Sequence, residues 1–129
     1  VKQTNVHFKY TKQDDDSIVS ESGCNYESLQ DFIHTDIFGF CGCGMSEDVD
    51  SLIYNILTIL NIQNSLTFKE YKARLEMYLP TDALQYFMFY WLDFKGFTKH
   101  GGSVPGWLSD KGHELLNLLD LVYEKENSK

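Results

Sequence analysis

The chain has 129 residues, 43% of them apolar and 15% aromatic, with 19 acids against 11 bases and a formal net charge of −8. That is ample material for one hydrophobic core without disulfides or metal, which excludes general disorder. The longest apolar run, around residues 86–92, is far shorter than the roughly 20 residues needed to cross a bilayer, and an acidic chain is poorly suited to phosphate backbones.

The charge is uneven. Between Gln13 and Phe68 there is no Lys or Arg, but there are ten acids, among them Asp14, Asp15, Asp16, Glu47, Asp48 and Asp50. Residues 1–12 carry three Lys and no acid, and residues 69–129 carry eight bases and nine acids. A solvated surface is the ordinary reading of such a stretch; a surface for a basic protein patch is the functional one. The N-terminus lacks the basic, apolar and cleavage regions of a secretion signal. The chain opens on Val1 rather than Met, which suggests either trimming or a boundary set within a longer sequence. Three cysteines, an odd number, fit a reducing cytoplasm better than a disulfide framework.

In chain order, residues 1–23 are expected to form a flexible acidic arm. Residues 6–10 alternate and suit a short strand, while Asp14-Asp15-Asp16 and residues 20–23 read as loop. A first helix should follow Asn25 as its N-cap, with Leu29, Phe32, Ile33 and Ile37 as its apolar stripe, and end by Gly39. Residues 40–44 then make a tight glycine-rich turn.

The clearest helix starts at Ser46, with Val49, Leu52, Ile53, Ile56, Leu57 and Leu60 on one face. Thr67 and Glu70 have the spacing of a capping box for a third helix, which places Phe68, Tyr71, Leu75 and Tyr78 on one face and stops before Pro80. Thr81 caps a fourth helix that runs to about Lys95, with Gly96 as its stop. Its middle is apolar on every side, which predicts a central helix or one packed on two sides. A hairpin around residues 101–103 follows, and then a last helix capped by Ser109 with Leu115, Leu118, Leu119 and Val122 as its stripe. The expected architecture is mainly α with a small β-hairpin: an arm over residues 1–23 and a single helical domain over residues 24–129.

The order helix, Lys95-Gly96-Phe97, hairpin, Leu108-Ser109-Asp110-Lys111-Gly112 resembles a winged-helix domain over roughly residues 46–122. The chain more closely resembles a group of short uncharacterised phage- and prophage-encoded proteins. The residues that carry this likeness are Cys41-Gly42-Cys43-Gly44 before an amphipathic helix, residues 95–103 (KGFTKHGGS) and residues 107–112 (WLSDKG), within about residues 36–120. The resemblance implies a bacterial or phage cytoplasmic setting, where small accessory proteins commonly bind host proteins; it implies no activity.

Four chemistries compete for the remaining residues. Cys41-x-Cys43 with His100 suits zinc, completed by Cys24, His34 or Asp36; the alternative is two small residues packed in a turn. Cys43, near a helix N-terminus, suits a nucleophile with His100 or His34 as its base, although no orienting residue is identifiable. DNA binding would need base-reading side chains on the fourth helix, which offers Thr81, Asp82, Gln85 and Asp93, with Lys95, Lys99 and Lys111 near the wing.

Protein binding would use the acidic surface of Asp14, Asp15, Asp16, Glu47, Asp48 and Asp50, as a mimic of nucleic acid in a basic groove, with Tyr54, Trp107 and Phe97 as aromatic anchors; core packing is the competing reading for each aromatic. Asp48 and Asp50, two apart on a helix, point to different sides and form no acid–base pair. No phosphate-binding glycine loop is present. The favoured expectation is a non-enzymatic, cytoplasmic accessory protein that binds another protein, with no catalytic residues and no required cofactor. A DNA-binding regulator and a small structural zinc protein are the alternatives. A homodimer is expected if the wing is apolar and exposed.

Overall fold

A computed structural model of the chain describes residues 6–40, 46–101 and 104–127. Of the described residues 62% are helical, with small antiparallel sheets. The chain divides into two compact units, residues 1–50 with 117–129 and residues 51–116.

In the first unit, β1 (Tyr10–Lys12), β2 (Ile18–Ser20) and β3 (Asn25–Tyr26) form a three-stranded antiparallel meander. Tyr10 lies opposite Ser20, and Ile18 opposite Tyr26. β1 and β2 lie within residues 1–23, the stretch expected as an arm, and the first strand starts at Tyr10, the last residue of the alternating run at 6–10. Ile18 and Val19, β-branched between two turns, favour the pleated backbone, and Ile18 is buried.

The β1–β2 turn holds Asp14, Asp15 and Asp16, with Asp16 at φ 70°. The Asp15 carboxylate accepts hydrogen bonds from the Ser17 hydroxyl at 2.6 Å and the Ser17 amide at 3.0 Å. The hydroxyl first, then the amide, holds this carboxyl below the ordinary carboxylate range.

Asn25 is taken up by β3, so the N-cap of α1 (Leu29–Phe32) is Ser28, whose Oγ accepts from Asp31 N at 3.1 Å. The helix widens into a π turn over Ile33–Ile37 and ends at Gly39, φ 79°. The Phe32 ring lies 5.3 Å from Tyr10 and 5.5 Å from Tyr26, which ties the helix to β1 and β3.

The second unit begins within α2 (Ser46–Ile62), where Ile53, Ile56, Leu57 and Leu60 of the predicted stripe are buried, Val49 and Leu52 are half-buried, and Ile59 joins the buried set. Asn55 and Thr58 spend their polar groups on the carbonyls one turn back, Ser51 O and Tyr54 O, both at 2.9 Å. A 3₁₀ turn (Gln63–Ser65) leads to α3 (Phe68–Tyr78). Its capping box is formed: Thr67 N donates to Glu70 Oε1 at 2.9 Å, and Glu70 N donates to Thr67 Oγ1 at 3.1 Å. The backbone and then the side chain of Thr67 lower the Glu70 pKa.

On α3, Tyr71 and Leu75 are buried, whereas Phe68 and Tyr78, expected on the same inward face, are exposed. Three residues separate Phe68 from Tyr71, and Tyr78 is three past Leu75, so the outer pair lies at the margins of a narrow stripe. The hydroxyl of Tyr71 is buried and finds no partner among the described residues. Burial pushes its pKa up to about 12.

Because the folded-state value lies above the unfolded value of about 10, this group's share of stability is intact below pH ~10 and is lost as pH rises toward ~12. We expect Tyr71→Phe to leave stability unchanged or raise it by up to about 1 kcal/mol. It should also remove one late-ionising tyrosine from an alkaline ultraviolet titration. A fall of more than about 1 kcal/mol would mean that the hydroxyl has a partner.

α4 (Asp82–Phe94) is capped by Thr81, whose Oγ1 accepts from Leu84 N at 3.2 Å, and stops at Gly96, φ 85°. The hairpin of β4 (Thr98–Gly101) and β5 (Val104–Leu108) follows, pairing Thr98 with Leu108 and Lys99 with Trp107.

The hairpin base is bound to the start of α5 (Asp110–Asn127). Ser109 N donates to Phe97 O at 3.0 Å, and Ser109 Oγ donates to Gly96 O at 2.6 Å and accepts from Gly112 N at 3.0 Å. Lys111 Nζ donates to Lys95 O at 3.1 Å and sits 5.5 Å from the centre of the Phe97 ring. Leu115, Leu118, Leu119 and Val122 are buried, as the last predicted stripe requires.

Candidate functional site

The feature that departs most from expectation is α4. It is not a central helix: among its residues only Gln85 and Leu92 are buried. Seven residues apart, these two define its inner side. Gln85 stitches that side to α3, donating through Nε2 to Leu79 O at 3.0 Å and accepting from Lys72 Nζ at 2.8 Å. Lys72 also lies 3.6 Å from Asp82.

At 3.6 residues per turn, Phe87, Tyr90 and Phe94 lie about 140–200° around the helix from Gln85. They are 69%, 62% and 76% exposed, and Tyr86 beside them is 68% exposed. The rings of Tyr86 and Tyr90 stack at 6.4 Å with an interplanar angle of 19°. From Ala83 to Leu92 the helix contains no charged residue. Contiguous apolar surface of this kind marks an interaction site more often than a scattered exposed side chain does.

Charge is segregated between the two units. Residues 51–116 contain six acids and six bases, whereas residues 1–50 with 117–129 contain thirteen acids and five bases. The aromatic face therefore belongs to a neutral unit, and the whole excess of −8 belongs to the other.

The residues singled out from sequence scatter across different settings. Asp14, Asp15 and Asp16 are exposed at the β1–β2 turn, with Asp16 3.2 Å from Lys12. Asp48 is exposed on α2, and Glu47 lies in its first turn. Asp50 does not share their surface. It is 2% exposed, with Oδ1 2.9 Å from Nδ1 of His34, itself buried on the π turn beside the Phe40 ring. Position 50 falls three residues before Ile53 and seven before Leu57, on the apolar face of α2, which is why it turns inward. Tyr54 is half-buried on α2, and Trp107 is 44% exposed on β5.

For the metal set, Cys41 and Cys43 lie outside the described residues. His100 is exposed, with Nδ1 3.0 Å from Asp93 Oδ2. The other proposed ligands have local partners: His34 has Asp50, Asp36 accepts from Tyr26 Oη at 3.2 Å, and Cys24 Sγ accepts from Ser22 Oγ at 3.8 Å. Burial first, and Asp36 next, raises the Tyr26 pKa. Among the described residues no group of three His, Cys, Asp or Glu side chains could hold a metal ion.

The base-reading candidates are likewise engaged, since Gln85 and Asp82 meet Lys72 and Asp93 meets His100. Lys95 sits 6.0 Å from the centre of the Trp91 ring. No described helix is long and apolar enough to cross a membrane.

Sequence reasoning missed the aromatic face of α4 because an unbroken apolar run carries no polar residue to mark its outer side. The one available signal was Gln85, a hydrogen-bonding side chain seven residues before Leu92 at the start of the run. No known protein-family model, curated protein or solved structure matches this chain.

Proposed function

We propose that this chain is a non-enzymatic accessory protein whose work is to bind another protein, and that the α4 aromatic face anchors the contact. The exposure of Tyr86, Phe87, Tyr90 and Phe94 on one face of α4, with no charged residue between Asp82 and Asp93, is the observation that carries this reading. Large, rigid aromatic rings are the side chains that most often dominate binding energy at protein interfaces. The exposed acids at the β1–β2 turn and Asp48 support a second, electrostatic surface suited to basic partners.

The order α2, α3, α4, hairpin and α5 supports a winged-helix-like reading of residues 46–122, and the shared glycine–cysteine and wing motifs support a phage- or prophage-type origin and a cytoplasmic setting. Nucleic acid is disfavoured as the partner. α4 offers no basic side chain before Lys95, and its Gln85 is spent on Leu79 and Lys72.

The test is a nuclease-treated pull-down from bacterial lysate with three proteins in parallel: the natural chain, Tyr90→Ala with Phe94→Ala, and Asp14→Asn with Asp15→Asn and Asp16→Asn. We expect a stoichiometric protein band that the aromatic pair of substitutions removes. The acidic triple should weaken it mainly at low salt. Recovery of nucleic acid with no protein band, or a band indifferent to the aromatic substitutions, would reject this reading.

A further inference from the structure

The aromatic face also points to what covers it. Resting on the reading above, we infer that before that partner is engaged the face is covered by a second copy of this chain, with α4 packed on its twofold-related copy.

Charge is the first ground. The face lies in a unit of six acids and six bases, and no charged residue interrupts it between Asp82 and Asp93. A heterologous partner selected by charge finds nothing to read there. Two copies that meet there bring together the uncharged residues 83–92 rather than the acids at positions 14–16. Self-association is thus allowed on this surface and opposed on the acidic one.

Area is the second. An aromatic side chain has on the order of 150–250 Å² to bury. At their exposures of 62–76%, Tyr86, Phe87, Tyr90 and Phe94 leave roughly 400–700 Å² per copy on that scale. Doubling this brackets the roughly 1,000 Å² at which a specific interface becomes plausible.

Symmetry and order complete the case. An isologous contact needs a patch complementary to itself, and a row of flat rings spaced one turn apart satisfies that by offset stacking. The Tyr86–Tyr90 stack is already formed within the chain, so less side-chain freedom is lost on association. A contact at the lower end of specific interface sizes should be reversible, with a dissociation constant in the micromolar range.

The experiment is sedimentation equilibrium of the full chain from about 1 to 200 µM, chosen to bracket that range, at low and high salt. The natural chain is compared with Phe87→Glu and Tyr90→Glu. Both positions are exposed, and circular dichroism with thermal melts verifies that the variants fold. We expect the average mass to rise reversibly from 15.0 kDa toward twice that value, with little dependence on salt, and each substitution to weaken association by more than about thirtyfold.

A natural chain that stays monomeric throughout would overturn the inference, as would a dimer that both substitutions leave intact. The two failures are distinguishable. A monomer whose lysate partner is lost with Tyr90→Glu removes the second copy as occupant and keeps the protein-binding reading. A monomer whose capture is unaffected removes both.

Discussion

Gly112→Ala should be among the most damaging single substitutions in the second unit, lowering stability by about 3 kcal/mol or more and the melting temperature by roughly 10 °C. Helix propensity alone gives the opposite sign, since Ala replacing Gly within a helix stabilises by about 1 kcal/mol. Packing decides the outcome. A Cβ at position 112 would overlap the carbonyl oxygen of Phe97 and crowd its carbonyl carbon. Both are backbone atoms, so no flexible side chain can move aside.

The same carbonyl receives the Ser109 amide, so relieving the overlap means pulling α5 off the hairpin base. Gly23→Ala provides the control. Gly23 has φ 95° but open space around its Cβ position, so only backbone strain of about 1 kcal/mol applies. Thermal or urea unfolding of the two variants separates the effects. A Gly112→Ala protein as stable as the parent would show that α5 does not approach Phe97 this closely.

In the first unit the largest polar effect is expected at Asp50. With Asp50 ionised, the carboxylate only accepts, and the hydrogen bond at 2.9 Å then places the His34 proton on Nδ1. Asp50→Ala withdraws that acceptor from a buried imidazole and leaves space in its place, with an expected loss of about 2–4 kcal/mol. Asp50→Asn keeps an acceptor oxygen and loses the charge, so it should cost less. The gap between the two variants measures how much of the pair is electrostatic. Urea unfolding midpoints provide the measurement, and an unchanged midpoint for Asp50→Ala would show that the pair contributes nothing to stability.

Much of the helical framework was legible because it rests on local chemistry. The α2 stripe, the Thr67–Glu70 box, the Thr81 cap and the Gly96 stop each follow from residues within one or two turns. The meander was harder to read. Its strands are two or three residues long, too short for alternation to register, and Asn25 satisfies the rules for a helix cap as well as those for a strand. Ser28 wins the cap because pairing with Val19 keeps Asn25 extended.

The sites divide in the same way. Asp50 was read as surface from its charge, although its place in the α2 stripe pointed inward, and its partner His34 lies sixteen residues away on a different element. The aromatic face of α4 depends on which side of an all-apolar helix the rest of the fold happens to cover. Composition cannot express that.

The junction of hairpin and α5 has a consequence for how this sequence can drift over generations. Gly96, Phe97, Ser109 and Gly112 form a closed set: the Ser109 hydroxyl bonds to the first and last of them, while a single carbonyl, that of Phe97, meets Ser109 and Gly112. A bulkier residue at 112 demands a displaced Phe97, and a displaced Phe97 abandons the Ser109 amide. These four positions are therefore free to change together and constrained when they change singly. A distant descendant would keep the quartet long after the aromatic row and the acidic turn had been rewritten for a different partner.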